Sequence, residues 1–247
     1  MENQNHNAVI SIRHLNKAFG DNHVLTDFDF DLFDNENVVV LGKSGAGKSV
    51  LIKCIIGLML PDSGSITVFG DEVTQLKHED LDRMRVKVGF LFQSNALYDS
   101  MTIRQNLEFP LRRHWIKTSK DVVNDLVMEA LNNVGLKETV DMMPSELSGG
   151  MRKRIALART LILKPKIILY DEPTTGLDPI TGKEISDLMI DVQKKYKTSS
   201  VIISHDMNCV KITSNRVVML IDGKCYAMGS YEDLQKSTDK KVKQFFI

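Results

Sequence analysis

The run Gly42-Lys43-Ser44-Gly45-Ala46-Gly47-Lys48-Ser49 satisfies the pattern G-x-x-x-x-G-K-[ST] in full. Its glycines allow the backbone to curl so that successive N–H groups point inward at phosphate oxygens. Lys48 is then placed to reach the β and γ phosphates, and the Ser49 hydroxyl to ligate Mg²⁺. Val50 carries the same stretch into the helix that should follow. A second candidate is the acidic pair Asp171-Glu172, which closes the apolar run Ile167-Ile168-Leu169-Tyr170. There Asp171 would hold Mg²⁺, directly or through water, and Glu172 would polarise an attacking water. Adjacent carboxylates beside phosphates need a metal ion between them to be electrostatically tolerable. A strand-end Asp-Glu pair is common in α/β proteins; the complete phosphate loop upstream gives this one its meaning. The two motifs together imply a nucleoside triphosphate site. A third feature, Ser148-Gly149-Gly150, opens a predicted helix and offers a second N-terminal anion site. Arg152, Lys153 and Arg154 follow at once and should strengthen its positive field.

These groups need a scaffold, and hydrophobic patterning supplies one. Phe28-Asp29-Phe30-Asp31-Leu32 alternates as a half-buried strand does, within a first 35 residues that read as β. Val38 to Leu41 is a continuous apolar run of the kind buried parallel strands show. It leads into the phosphate loop and then a helix expected from Ser49 to Leu60, closed by Pro61 and Gly64. Further strands are expected at Ile66–Phe69, Val88–Phe92, Ile167–Tyr170 and Val201–Ile203. A hairpin is expected over Val217–Ile221, Asp222-Gly223 and Lys224–Met228. Between Thr118 and Gly135 the apolar residues Val122, Val123, Leu126, Val127, Ala130, Leu131 and Val134 make one helical face. Thr118 with Asp121 resembles a capping box at its start. Another helix is expected from about Gly149 to Leu163, and the tail from Tyr231 to Phe246 reads as helical. The fold class is therefore α/β: a core over about 1–94 and 161–230, a helical insertion over about 95–160, and a helical tail over about 231–247, all in one domain.

The 247 residues carry 32 Lys+Arg against 32 Asp+Glu, so no global field draws the chain to nucleic acid, and none is expected as a partner. Apolar residues at 43% suffice for a sizeable core. Cys54, Cys209 and Cys225 stand far apart, which excludes a disulfide framework or zinc cluster and fits a reducing compartment. Met1 to Asn7 is polar and has no signal-peptide core. The most apolar stretch, Val50–Leu60, is interrupted by Lys53 and too short to span a membrane. A cytoplasmic location is expected, with any membrane role exercised through a docked partner.

Leu147-Ser148-Gly149-Gly150-Met151 resembles the signature motif of ATP-binding-cassette ATPases, in the family's position upstream of the acidic strand. Other family motifs fall in order along nearly the whole chain: Phe19 matches the aromatic that stacks on adenine, Gln93 the Q-loop glutamine, Gly176-Leu177-Asp178 the D-loop, and His205 the switch histidine. Ser204-His205-Asp206 is no hydrolase triad, since adjacent residues cannot converge in that way. The resemblance implies a phosphate-loop NTPase core with an antiparallel β subdomain and an inserted helical subdomain. It also implies ATP with Mg²⁺, Glu172, His205 and Gln93 as catalytic residues, and Ser49, Gln93 and Asp171 around the metal. A head-to-tail homodimer is implied as well, in which Ser148, Gly149, Gly150 and Asp178 of one subunit meet the nucleotide of the other.

A narrower resemblance is to the ATPases of MCE-associated phospholipid transport, the MlaF type. It rests on Leu91 to Thr102 with Phe109-Pro110-Leu111, on Met143-Pro144-Ser145-Glu146, on Met151 where most cassettes carry Gln, on Asp178-Pro179-Ile180-Thr181, and on Val242 to Phe246. It implies an MlaE-like integral membrane permease docking at about Ser94–Leu111, an MCE-domain lipid-binding protein in the complex, and a place on the cytoplasmic face of the inner membrane. The sequence ends at Ile247, so the longer C-terminal arm of some members is not expected. Two alternatives share the main motifs: a transporter ATPase for lipoprotein release or amino-acid import, and a cassette ATPase unconnected with transport. A single phosphate loop and the lack of any heptad run count against the latter.

Overall fold

The structure, a computed structural model, describes residues 8–113 and 119–246. The polar residues Met1–Asn7, Ile247 and the proposed cap Thr118 lie outside them.

Two twelve-residue strands, β1 (Ala8–Phe19) and β2 (Asn22–Phe33), pair antiparallel. The expected alternation holds: Phe28, Phe30 and Leu32 are buried while Asp29 is exposed and Asp31 half-buried. With β4 (Ser63–Val68) and β5 (Asp71–Glu72) they form a four-stranded sheet ordered β2-β1-β4-β5.

The second sheet has six strands. Its parallel members are β3 (Asn37–Leu41), β6 (Val88–Leu91), β7 (Ile167–Asp171), β8 (Ser199–Ser204) and β9 (Arg216–Ile221), and β10 (Lys224–Gly229) joins β9 antiparallel. The order is β10-β9-β3-β8-β7-β6. Every residue of β3, β7 and β8 is buried, as unbroken apolar runs require when both faces are covered.

Helix α1 (Lys48–Ile55) is shorter than the apolar run suggested. Gly57 takes φ +66°. Gly57 N–H then donates to Cys54 O (3.0 Å) and Leu58 N–H to Lys53 O (2.8 Å), a Schellman closure that stops the helix before Pro61. Leu58 and Leu60 are left in solvent instead of on a helical face. Helix α2 (His78–Lys87) precedes β6, and α3 (Ile103–Arg113) tolerates Pro110 in its last turn. In α4 (Lys120–Asn133) the cap is Ser119, one residue past Thr118, and its side chain accepts from Val122 N–H.

Helix α5 (Gly149–Leu161) joins two cores. Ala156, Leu157 and Leu161 pack beneath the six-stranded sheet, while Ile155 and Ala158 pack with α3 and α4. Helix α6 (Pro179–Tyr196) is the longest described and α7 (Met207–Thr213) follows β8. Neither carries a long apolar run, and the sequence reading assigned no helix to either. The tail is two short helices, α8 (Tyr231–Gln235) and α9 (Lys240–Lys243), in place of one. No helix among the described residues is long and apolar enough to cross a membrane.

Candidate active site

The phosphate loop joins the C-terminal end of β3 to α1. Gly47 caps that helix at φ +99°. A Cβ there would stand 2.6 Å from Val24 Cγ1, so position 47 excludes side chains on both conformational and steric grounds. Strands β7 and β8 end beside the loop, because all three are parallel neighbours in one sheet. Ligand clefts form at the carboxyl ends of such strands. Here a cleft of about 470 Å³ is lined by Gly45, Lys48, Ser49, Gln93, Glu172 and His205, with Ser44, Gly47, Val50 and Val24 completing its wall.

Within the cleft Lys48 is buried. Its Nζ donates to the carbonyls of Gly42 (2.8 Å) and Lys43 (3.1 Å) and lies 3.7 Å from Glu172 Oε1. Burial pushes this ammonium below its ordinary pKa, and the charges of Glu172 and Asp171 oppose that shift. A buried cation held mainly by carbonyls is under-compensated, and phosphate oxygens would complete it. Ser49 Oγ donates to Asp171 Oδ1 at 2.9 Å. Burial, reinforced by the charge of Glu172, raises the Asp171 carboxyl above the usual carboxylate range, while the Ser49 bond opposes the rise. Two hard oxygens roughly 2.9 Å apart match neighbouring ligands on an octahedral ion with bonds of about 2.0–2.1 Å. The donor set fits Mg²⁺.

Glu172 N–H continues the ladder to Ile203 O at 3.0 Å. Its backbone nevertheless takes φ +51°, a left-handed conformation that costs a non-glycine residue about 1–2 kcal/mol. The carboxylate is held at Oε2 by His205 Nδ1 (2.8 Å) and by the Thr175 hydroxyl (3.2 Å). Thr175 was not among the sequence candidates; its place three residues past Glu172, in the turn leaving β7, is the signal that could have found it. Gln93 lies at the end of β6, exposed at the cleft rim.

The remaining candidates lie elsewhere. Phe19 stands at the turn between β1 and β2, half exposed, with Lys17 Nζ 5.5 Å from its ring centroid, and does not line the cleft. Ser148 caps α5, accepting from Met151 N–H at 3.2 Å, and also lies outside the cleft-lining set. Asp178 caps α6 through Ile180 N–H (3.1 Å), Thr181 N–H (3.0 Å) and Thr181 Oγ1 (2.6 Å). These bonds hold its carboxyl below the usual range. The two caps neighbour each other: a Cβ on Gly150 would stand 2.6 Å from Thr181 Cγ2.

The expected basic field over Ser148 needs correction. Lys153 points into the interior and Arg154 is paired with Glu184 Oε2 at 2.5 Å.

Of the segment expected to meet a permease, Ala96, Tyr98, Phe109 and Pro110 line a groove of about 280 Å³. The rings of Tyr98 and Phe109 are 4.8 Å apart. Leu97 instead packs against the core.

Comparison with known proteins gives a matching family. A model described as "ABC transporter" matches residues 25–175. The chain is 39% identical over 238 residues to the probable ribonucleotide transport ATP-binding protein mkl of Mycobacterium leprae, covering 96% of this chain and 68% of that one. It is 36% identical to the glutamate/glutamine/aspartate/asparagine transport ATP-binding protein BztD of Rhodobacter capsulatus, covering 96% and 89%. It is 34% identical to the intermembrane phospholipid transport system ATP-binding protein MlaF of Haemophilus influenzae, covering 98% and 90%. Among solved structures, the dimeric post-hydrolysis state of the ATP-binding cassette MJ0796 with ADP and Pi superposes with a TM-score of 0.81. That pair is 29% identical, over 90% of this chain and 98% of the other. A family match over more than half the chain, on a fold with this cleft, places the protein in the ABC transporter family as an ATPase of the ATP-binding-cassette type.

Proposed function

We propose that this chain is the ATP-hydrolysing subunit of a transporter that moves phospholipid across a bacterial cell envelope. The observation that carries the cargo is positional. The residues by which the sequence resembles the MCE-associated lipid-transport ATPases include Ala96, Tyr98, Phe109 and Pro110, and these four line one groove beside β6, together with Arg85, Arg113 and Arg159. A permease helix seated there would be read by the part of the chain that resembles lipid transporters. The MlaF relative, covered over 90% of its length, supports the same reading. The proposed assembly is a homodimer with an MlaE-like permease and an MCE-domain protein, on the cytoplasmic face of the inner membrane. The proposed domain plan is one cassette with its helical insertion at about 95–160.

In this reading the loop N–H groups and Lys48 bind the phosphates of ATP. Ser49 and Asp171 would hold Mg²⁺, with Gln93 placed at the cleft rim to join them. Mg²⁺, when bound, would supply positive charge to the phosphate oxygens. Glu172 accepts the proton of the attacking water, and His205 with Thr175 fixes the carboxylate that does so. Within one chain Ser148, Gly149, Gly150 and Asp178 do not line the cleft. The family resemblance assigns them to the nucleotide of a second subunit, where the N-terminus of α5 would meet the γ phosphate.

The test is purification of the native complex followed by lipid transfer between proteoliposomes and acceptor vesicles. Co-purification of an MCE protein, and ATP-dependent transfer of a fluorescent phospholipid, are expected. A complex containing a periplasmic amino-acid-binding protein, with hydrolysis stimulated by its amino acid, would establish the import alternative instead.

A further inference from the structure

Lys153 has a position that neither phosphate binding nor stability explains. It is the fifth residue of α5, only 2% exposed, with its Nζ donating to Gln93 O at 3.0 Å. Burying an ammonium for one carbonyl is costly, and an apolar side chain of similar length would fill the space without that cost. Burial pushes this ammonium down to about 8, and the charge of Asp171 on β7 opposes that shift only in part.

The contact is one of a set. Thr160 Oγ1 on the same helix donates to Phe90 O at 3.3 Å. The Arg159 guanidinium forks onto Ala96 O (2.7 Å) and Asn95 O (3.0 Å). Asn95 and Ala96 both hold left-handed backbone, φ +65° and +52°, which persists in non-glycine residues only where surroundings over-determine it. All four acceptors are main-chain carbonyls. The helix therefore fixes the path of the segment after β6, whatever its side chains.

We infer that Lys153 is a positioning residue for Gln93: from inside α5 it pins the Gln93 carbonyl and so sets where the Gln93 side chain meets the cleft. The inference rests on the assignment of Gln93 to the active site made above. Lys153 itself does not line the cleft and touches no reacting atom. Releasing the carbonyl lets Gln93 drift at the rim, and misplacement by about 1 Å can cost up to about a hundredfold in rate. Nucleotide affinity, which depends on the phosphate loop, is unaffected.

The experiment compares Lys153→Met, Lys153→Arg, Gln93→Ala and the Lys153→Met/Gln93→Ala double variant of the full chain. It measures kcat for ATP hydrolysis and the Kd for ATP. Lys153→Met should lower kcat about tenfold with Kd within about twofold, and Lys153→Arg should recover most of the loss. In the Gln93→Ala background, Lys153→Met should add less than about twofold, because residues acting through one another are non-additive. Should Lys153→Met fail to fold, Lys153→Leu, which also lacks a donor, gives the same cycle. An unchanged kcat in the single variant, or a further tenfold loss in a Gln93→Ala background that is itself slow, overturns the inference alone. Wild-type kcat in Gln93→Ala overturns the assignment of Gln93 and the inference with it.

Discussion

Replacing Glu172 by Gln changes one atom at the most constrained point of the cleft. The amide keeps an oxygen to accept from the Thr175 hydroxyl and from His205, now 3.2 and 2.8 Å from Oε2. Stability should therefore move by less than about 1 kcal/mol. The lost charge acts on binding in two ways that point in the same direction. Lys48, 3.7 Å away, loses a gross attraction of about 4 kcal/mol at an effective dielectric of about 20. The same loss frees that ammonium for phosphate and removes a negative charge that would repel it. ATP affinity should stay the same or tighten. The chemical step gains nothing from it, because an amide can hold water but cannot take its proton. Losing a general base costs about 10²–10⁴ in rate, or about 3–5 kcal/mol of barrier. Single-turnover phosphate release measures the step, and size-exclusion chromatography in ATP should show an ATP-trapped dimer. Turnover within about threefold of wild type would show that another group is the base.

Lys48→Ala should weaken ATP binding at least about tenfold by calorimetry, since charge-assisted contacts to phosphate are lost. Burial lowers the Lys48 pKa in the free protein and phosphate charge should raise it. Binding at alkaline pH should thus take up protons, and affinity should fall as pH rises through the free-state value; heats that do not vary with buffer ionisation enthalpy would contradict this. Gly150→Ala would set a Cβ 2.6 Å from Thr181 Cγ2, costing about 1–3 kcal/mol by thermal unfolding. Thr181→Ser, which removes that methyl, should restore most of it, and a silent Gly150→Ala would refute the contact. Asn106 is fully buried, with Nδ2 donating to the carbonyls of Tyr98, Met101 and Thr102 and Oδ1 accepting from Tyr98 N–H. Asn106→Ala should destabilise by about 2–4 kcal/mol in urea unfolding, and a loss below about 1 kcal/mol would show that the loop is held otherwise.

The chemistry was more legible than the scaffold around it. Asp171 and Glu172 announce themselves because they close the unbroken apolar strand β7, and Lys48 and Ser49 because they end a contiguous loop motif that follows the apolar strand β3 and opens α1. The end of α1 was misread because Leu58, Met59 and Leu60 look like a continued apolar face, while the decisive residue is Gly57, whose φ has no hydrophobic signature. Helix α6 escaped because its apolar residues are interleaved with charges; Asp178 before Pro179 was its available start signal. Lys153 was taken for surface charge from its basic neighbours. Its spacing to Ala156 and Leu157, at i+3 and i+4 on one buried face, is the pattern that marks it as interior. The neighbourhood of Gly150 and Thr181 is tertiary, and no local pattern encodes it.

The central claim is that the phosphate loop of one subunit works with the Ser148 helix of another. Hydrolysis by tethered dimers tests it most directly, comparing wild type joined to Lys48→Ala with wild type joined to a Lys48→Ala/Ser148→Arg subunit. The first tether keeps one whole site under either arrangement and fixes the single-site rate, expected near half of the wild-type dimer. In the second, a shared site pairs the intact loop with the damaged helix and the damaged loop with the intact helix, so hydrolysis should nearly vanish while the dimer remains assembled. Equal rates in the two tethers would mean that loop and helix act within one chain, and would contradict the account.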